Sequence, residues 1–101
     1  MTVKTNQSDD GKTLMISLTG RFDYTTHSSF IQAYKDNMRL LSRVVVDLAK
    51  VECMDASALG MLLVLRAKAI ANMAEVVLSN CSPSVKKNIQ ALGAGRLFNL
   101  D

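Results

Sequence analysis

The sequence has 101 residues, 49% hydrophobic and 21% charged, with a net charge of +3. This length suits a single domain over residues 1–101, and the hydrophobic fraction argues against an intrinsically disordered chain. No run of basic residues exceeds two and aromatic residues are few, so no nucleic-acid partner is indicated. No apolar stretch would span a bilayer and the N-terminus lacks the apolar region of a signal peptide. We therefore expect a cytoplasmic protein with no direct membrane insertion.

The first two elements in chain order are predicted to be strands that form a hairpin. Val3 and Thr5 alternate with polar residues, and residues 9–11, Asp-Asp-Gly, give a turn signal. Apolar residues at 14, 16 and 18 then define a strand with one apolar face. Residues 20–23 break this alternation, so we expect a loop there.

The rest of the chain is predicted to alternate between helices and strands. Apolar spacings of three and four favour a helix from about Thr26 to Leu41, and three consecutive valines favour a strand over 43–48 that is buried on both faces. The remaining predicted elements are a loop over 49–55, a helix over about 57–72, a strand over 75–79, a helix from 83 that ends at 93, and a strand over 97–100. The order β-β-α-β-α-β-α-β predicts an α/β fold with a mixed, mainly parallel β-sheet and helices packed on it.

The cysteines and the single histidine give no sign of a metal or redox site. Cys53 and Cys81 lack C-x-x-C spacing, so we expect two small reduced thiols in the core. His27 has no partner ligands at a suitable spacing, so we expect a surface histidine. The sequence also lacks a Gly-rich phosphate-binding loop. These observations predict no cofactor and no metal.

The segment from Val44 to Gly60 carries the most specific signal. A buried strand ending in Asp-Leu leads through a loop to a helix that opens on Asp55-Ala-Ser-Ala-Leu-Gly60. This segment resembles the signature of the STAS domain family, whose loop ends in Asp-Ser-Ser-Gly-Leu-Gly or a close variant. Residues 20–23, Gly-Arg-Phe-Asp, match the family pattern Gly-x-(Leu/Phe)-Asp before the first helix. The resemblance covers nearly the whole chain and implies the STAS fold.

The resemblance also implies a modification site. In bacterial anti-sigma-factor antagonists a partner serine kinase phosphorylates the second serine of the motif, which corresponds to Ser57. The family aspartates correspond to Asp55 and Asp23, which are therefore expected in the partner-binding region. Ala56 replaces the first serine or threonine, and Ala58 replaces the glycine, which stiffens the start of the helix. A C-terminal helix found in many relatives is expected to be short or absent.

The resemblance further implies a binding regulator rather than an enzyme. Its expected partners are an anti-sigma factor and serine kinase of the histidine-kinase-like ATPase fold, bound when Ser57 is unphosphorylated, and a metal-dependent serine phosphatase. Two alternatives stay open. One is a constitutive STAS-like subunit of a membrane transport complex that docks an ATPase subunit. The other is an enzyme in which Ser57 and Asp55 act with the distant His27.

The helix after the motif is predicted to present an apolar face to the partner. On a wheel of about 100° per residue, one uncharged sector is assigned to the core: residues 59, 60, 63, 64, 67, 70 and 71. The opposite side is assigned to the surface and supplies the other partner-binding candidates, Ala58, Met61, Leu62, Leu65, Arg66 and Lys68. The alternatives are that this side packs beneath another helix, and that Ser57 or Asp55 is simply the helix N-cap.

Overall fold

The computed structural model describes residues 2–36 and 38–100, with the backbone alone for residues 99 and 100. Five strands form one sheet in the order β1-β2-β3-β4-β5, in which β1 runs antiparallel to β2 and the other neighbours are parallel. The strands are β1 (Thr2–Gln7), β2 (Thr13–Phe22), β3 (Arg43–Met54), β4 (Glu75–Ser79) and β5 (Asn99–Leu100). The helices are α1 (His27–Tyr34), α2 (Ala56–Ala71) and α3 (Pro83–Ala91). The predicted α/β fold, mixed sheet and order of elements are confirmed.

One face of the sheet forms the core together with the helices. Alternate residues of β2, β3 and β4 lie opposite one another and are buried, in the rows Leu14–Val44–Val76 and Ile16–Val46–Leu78. These rows share one hydrophobic cluster with buried residues of all three helices, among them Phe30, Leu62 and Ile89. Val45 is buried as well, so the strand that starts at residue 43 is buried on both faces as predicted. No helix in the described ranges is long and apolar enough to cross a membrane.

Two strands extend beyond their predicted ends, so the loops expected over 20–23 and 49–55 are mostly strand. β2 continues to Phe22 and β3 to Met54, and their pairing is irregular near Gly20, which has a positive φ of 99°. In this part of β3 the buried residues are Leu48, Val51 and Met54, at a spacing of three. The bulged pairing interrupts the alternation of buried and exposed residues, with a period of two, on which strand prediction depends. The prediction of loops was therefore wrong.

The helix predicted over 26–41 is shorter and divided. α1 ends at Tyr34, and a separate 3-10 turn covers Met38–Leu40; Asn37 lies outside the described residues. Met38 and Leu41 are both buried, and the amide of Leu41 donates to the carbonyl of Met38 at 3.2 Å. Because a 3-10 turn repeats every three residues, it places these two side chains on the same side just before β3. The apolar residues at spacings of three and four are thus buried as predicted, but they belong to α1 and a separate 3-10 turn and not to one helix.

Aromatic packing fixes α1 against the end of β2. The rings of Phe22 and Phe30 are 5.4 Å apart between centroids, and those of Phe30 and Tyr34 are 5.7 Å apart, edge to face. All three rings are at most 1% exposed. Contacts of this kind add to the free energy gained from burial alone. They hold the start of α1 close to Asp23, the residue that follows β2.

Candidate functional site

The candidate site lies where β2 and β3 end side by side. Phe22 pairs with Met54 in the parallel ladder, so Asp23 and Asp55 leave the sheet as neighbours. Both aspartates line one small cavity of about 80 Å³, together with Arg21 and Cys53. The fold therefore brings together the two aspartates identified in the sequence. Cys53 is exposed, so the expectation that it lies in the core was wrong.

Asp55 caps helix α2 and also holds the hydroxyl of Ser57. Its backbone is extended (φ −113°, ψ −173°), and its Oδ1 accepts a hydrogen bond from the amide of Ala58 at 3.0 Å. The same oxygen accepts the hydroxyl of Ser57 at 2.6 Å. Asp55 is thus the N-cap, and Ser57 lies in the first turn with its side chain exposed. The alternative that Ser57 itself caps the helix was wrong.

The carboxyl group of Asp55 is held in its charged form. Its pKa lies below the ordinary value of 3.8, chiefly because Ser57 donates to it and secondly because the amide of Ala58 does. Hydrogen bonds to a carboxylate favour its ionised state. At neutral pH the Ser57 hydroxyl is therefore oriented by a full negative charge.

The two sides of α2 are reversed relative to the prediction. Ala58, Met61, Leu62 and Leu65, expected at the surface, are at most 6% exposed and belong to the core cluster. Of the residues assigned to the core, Leu59 is buried as predicted, but Gly60, Val64, Ala67, Ile70 and Ala71 face solvent and Leu63 is half-buried. A helix wheel locates the core by the contrast between apolar and charged faces, and α2 is apolar on both. Its two charged residues, Arg66 and Lys68, lie at the borders between them.

The exposed side of α2 forms a groove with α1. Ser57, Gly60 and Val64 line it from α2, and His27 and Ile31 line it from α1, around a volume of about 290 Å³. We call this feature the α1/α2 groove. Gly60 was assigned to the core sector, but a Cβ at this position would meet no described atom within 4 Å beyond its chain neighbours and its own helix backbone. The missing side chain instead keeps the groove open.

Arg66 and Lys68 differ in their relation to this groove. The Nε of Arg66 donates to the carbonyl of Leu97 at 2.7 Å. Arg66 is nine residues after Ser57, and at about 100° per residue this spacing places the two side chains on opposite sides of α2. Arg66 thus lies away from Ser57, although both were assigned to one partner surface. Lys68 is exposed, with its Nζ 5.9 Å from the centre of the Tyr34 ring. Eleven residues after Ser57, it lies on the same side of α2, about 16 Å further along the helix.

His27 is exposed, as expected, and it shares the α1/α2 groove with Ser57. In the described part of the chain no hydrogen bond joins the histidine to Ser57 or Asp55; the hydroxyl of Ser57 donates directly to the aspartate. Among the described residues, no three histidine, cysteine, aspartate or glutamate side chains group closely enough to hold a metal ion. Serine, histidine and aspartate thus lack the relay in which histidine bridges the other two.

Sequence reasoning missed the contribution of α1 and the exposed side of α2. His27, Ile31, Gly60 and Val64 were not proposed as partner-binding residues, yet they surround Ser57. The strand order would have indicated that α1 lies beside α2. When successive strands are neighbours in the sheet and their crossovers are right-handed, the connecting helices lie on the same face of the sheet. The order of strands was not part of the prediction.

Comparison with known proteins identifies the family of the chain. A family model described as "Mlab, STAS domain" matches residues 5–99. A STAS-domain-containing protein of Pseudomonas aeruginosa (strain UCBPP-PA14) is 40% identical over 100 residues, which are 99% of each chain.

Solved structures share the fold at lower identity. The anti-sigma factor antagonist SpoIIAA in its unphosphorylated form superimposes with a TM-score of 0.84 at 20% identity, over 99% of this chain and 88% of that one. A sulfate transporter family protein from Wolinella succinogenes gives a TM-score of 0.74 at 13% identity, over 86% of this chain and 75% of that one. By its fold, its motif and the family model that spans it, this chain belongs to the STAS domain family.

Proposed function

We propose that this chain is a phosphorylation-switched binding regulator of the anti-sigma-factor-antagonist type, with Ser57 as the phosphate acceptor. The observation that carries the proposal is the position of the Ser57 hydroxyl. It is exposed, held by Asp55 at 2.6 Å, and lies at one end of the α1/α2 groove. A kinase can reach such a hydroxyl without unfolding the helix.

The α1/α2 groove and the exposed side of α2 form the partner surface of this proposal. Val64 is 47% exposed and Ile70 is 56% exposed, and the exposed Ala67 lies between them on this side of the helix. Exposed apolar side chains grouped on one helix are typical of a protein-docking surface. Lys68 at the far end and Asp23 and Asp55 at the near end give this surface a polar rim, as in many protein interfaces. Arg66 and the buried residues of α2 contribute indirectly, by holding the helix in place.

Phosphorylation would place charge where the partner docks. The Oγ of Ser57 forms a bond to the γ-phosphorus of ATP, the bond to the bridging oxygen breaks, and ADP leaves with that electron pair while a base of the kinase takes the hydroxyl proton. The product adds a charge of about −1.5 to −2 beside an existing carboxylate. Burying that charge under a partner would cost several kcal/mol, and a loss of about 4 kcal/mol corresponds to roughly a thousandfold in affinity.

The proposed partners are those implied by the resemblance to anti-sigma-factor antagonists. The unphosphorylated module binds an anti-sigma factor and serine kinase of the histidine-kinase-like ATPase fold and releases it when Ser57 carries phosphate. A metal-dependent serine phosphatase restores the hydroxyl. The phosphorylated form of SpoIIAA from Bacillus has a TM-score of 0.69 with this chain at 19% identity, so the same fold accommodates a phosphorylated state in that protein.

We propose no catalytic activity for the chain itself. A serine hydrolase needs a histidine that takes the serine proton, but the Ser57 hydroxyl donates to a carboxylate whose pKa is lowered. A carboxylate of low pKa is a weak general base at neutral pH. The arrangement suits a hydroxyl that is acted on by another enzyme.

A second candidate function is a constitutive subunit of a membrane transport complex. The family description names Mlab, and the Wolinella sulfate transporter family protein shares the fold. In that case the exposed side of α2 would dock an ATPase subunit, and Ser57 would remain unmodified. A complex that forms equally well before and after phosphatase treatment would favour this candidate.

The test combines capture, modification and affinity. Tagged protein is used to capture partners from a lysate of the source bacterium, with and without phosphatase treatment of the bait. The proposal predicts capture of a protein with a histidine-kinase-like ATPase domain, which is then purified and incubated with the bait and ATP. Phosphate should map to Ser57, and the phosphorylated bait should bind this kinase at least a hundredfold more weakly. A kinase that leaves Ser57 unmodified, or binds both forms equally, would refute the proposal.

A further inference from the structure

The site contains two hydroxyl groups in matched settings. Ser57 is the second residue after Asp55, and Thr25 is the second residue after Asp23. The hydroxyl of Thr25 donates to the Oδ1 of Asp23 at 2.5 Å, as that of Ser57 donates to the Oδ1 of Asp55 at 2.6 Å. Each Oδ1 also accepts a backbone amide at 3.0 Å, from Thr25 and Ala58 respectively. The two segments thus present a hydroxyl in the same way.

The sheet brings these two segments to the same edge. Asp23 and Asp55 follow paired residues of β2 and β3, both have extended backbones, and both cap the helical turn that follows. They also line the same cavity of about 80 Å³. Thr25 and Ser57 are both exposed at this edge. An enzyme that reaches one hydroxyl therefore meets the other on the same surface.

Nearby hydroxyls do not share this setting. Thr26 is 2% exposed and its Oγ1 has no hydrogen-bond partner within the described residues. Ser28 is exposed in the first turn of α1, but in the described ranges no carboxylate accepts its hydroxyl. Thr25 alone among the three combines exposure with an aspartate that orients it.

We propose that Thr25 is a second phosphate acceptor, modified by the same kinase that acts on Ser57; this inference rests on the proposed function. In the reaction the Oγ1 of Thr25 bonds to the γ-phosphorus of ATP, ADP leaves with the electrons of the broken bond, and the hydroxyl proton passes to a base of the kinase. Tyr24, which is 73% exposed, stands where Ala56 stands in the other segment. Its bulk and the extra methyl group of threonine make Thr25 the slower of the two sites.

The two sites would interact through their charges. A phosphate at either position adds about −1.5 to −2 charges beside Asp23 and Asp55, and among the described residues Arg21 is the one basic side chain lining the shared cavity. Repulsion makes a second phosphate less favourable than the first. Thr25 should therefore be modified several-fold faster when Ser57 is blocked as alanine than when it already carries phosphate.

The test uses the kinase captured with the full chain, ATP, and mass spectrometry of intact protein with site mapping. Wild type, Ser57→Ala, Ser57→Ala with Thr25→Val, and Ser57→Ala with Thr25→Ser are compared. We expect Ser57→Ala to take one phosphate at residue 25, the valine variant to take none, and the serine variant to regain one. Ser57→Ala with Ser28→Ala is the matched control and should behave like Ser57→Ala. Circular dichroism verifies that each variant is folded.

The outcomes separate this inference from the proposed function. If wild type is phosphorylated at Ser57 and folded Ser57→Ala takes no phosphate, the inference about Thr25 fails and the proposed function stands. Phosphate on Ser57→Ala that maps to Thr26, Ser28 or Ser29 also overturns it. If wild type takes no phosphate at either position, both fail.

Discussion

Val64 and Leu65 are consecutive residues of α2 that lie on opposite sides of the helix: Val64 is 47% exposed, whereas Leu65 is fully buried. Val64 lines the α1/α2 groove seven residues after Ser57, on the same side of the helix. Leu65 belongs to the core cluster with the buried residues of the sheet. The same substitution at these two positions therefore separates binding from folding.

The first prediction uses glutamate at each position. Val64→Glu should leave the free energy of unfolding within about 1 kcal/mol of wild type, because its carboxylate stays in water, but should weaken kinase binding at least tenfold. Leu65→Glu should destabilise the domain by at least about 3 kcal/mol, because it buries a charge without a partner. Urea unfolding and calorimetric binding measure the two effects. Leu40→Glu, at a residue 71% exposed outside the groove, is the control and should change neither. Normal binding by folded Val64→Glu would show that the partner docks elsewhere.

The sequence predicted the motif and the fold but not the orientation of α2. The valines of β3 and the apolar alternation of β2 are local patterns, so the sheet and the order of elements followed from them. Asp23, Asp55 and Ser57 followed from the family motif, and the fold places them at one edge. Which face of α2 is buried depends on the direction in which the chain leaves β3. Leu65 and Val64 are both apolar, so hydrophobicity alone does not decide between them. Only tertiary packing distinguishes them, and no pattern within the helix records it.

The second prediction concerns Gly60, whose missing side chain keeps the groove open. Gly60→Ala should stabilise the domain by about 0.5–1 kcal/mol, because the position is helical and a Cβ meets no atom within 4 Å. Gly60→Leu should also remain folded, but its side chain would fill part of the groove and weaken kinase binding at least tenfold. Thermal unfolding and titration calorimetry measure both variants, and alanine serves as the control for stability. Tight binding by Gly60→Leu would show that the partner does not enter the groove.

The third prediction is a pH dependence that arises at Asp55. Its pKa in the folded state is lowered, so its ionisation contributes stability above the unfolded pKa, and that contribution disappears as the pH falls through the folded value. The stability difference between wild type and Asp55→Asn should therefore be largest near neutral pH and shrink in acid. Thermal unfolding between about pH 7 and pH 2 measures it. Asp36→Asn, at an exposed residue that makes no hydrogen bond in the described structure, controls for the general loss of a negative charge. A constant difference across this range would contradict the role of Asp55.

The fourth prediction follows from the largest cause of that lowered pKa, the hydrogen bond from Ser57. Ser57→Ala removes this donor but retains the amide of Ala58, so the pKa of Asp55 should rise part of the way toward 3.8. Two-dimensional NMR of the aspartate side chains during an acid titration measures the change. Ser28→Ala, which removes an exposed hydroxyl of α1, is the control and should leave the pKa of Asp55 unchanged. An unchanged value in Ser57→Ala would show that the hydroxyl does not hold this carboxylate in solution.

The last prediction separates charge from size at the switch residue. Because Asp55 rather than Ser57 caps the helix, Ser57→Ala should cost only about 0.5 kcal/mol of stability and should bind the kinase as tightly as unphosphorylated wild type. Ser57→Asn and Ser57→Asp introduce side chains of nearly equal size, and only the second carries a charge. We expect asparagine to weaken binding by a factor of about two, since it adds bulk at the rim, and aspartate to weaken it at least tenfold, about 1.4 kcal/mol.

Phosphate at Ser57 should weaken binding further than aspartate does, because it carries about twice the charge. Raising the salt concentration should reduce the difference between aspartate and asparagine, since exposed charges are screened. If asparagine and aspartate weaken binding equally at all salt concentrations, the switch operates by steric exclusion and the electrostatic mechanism is wrong.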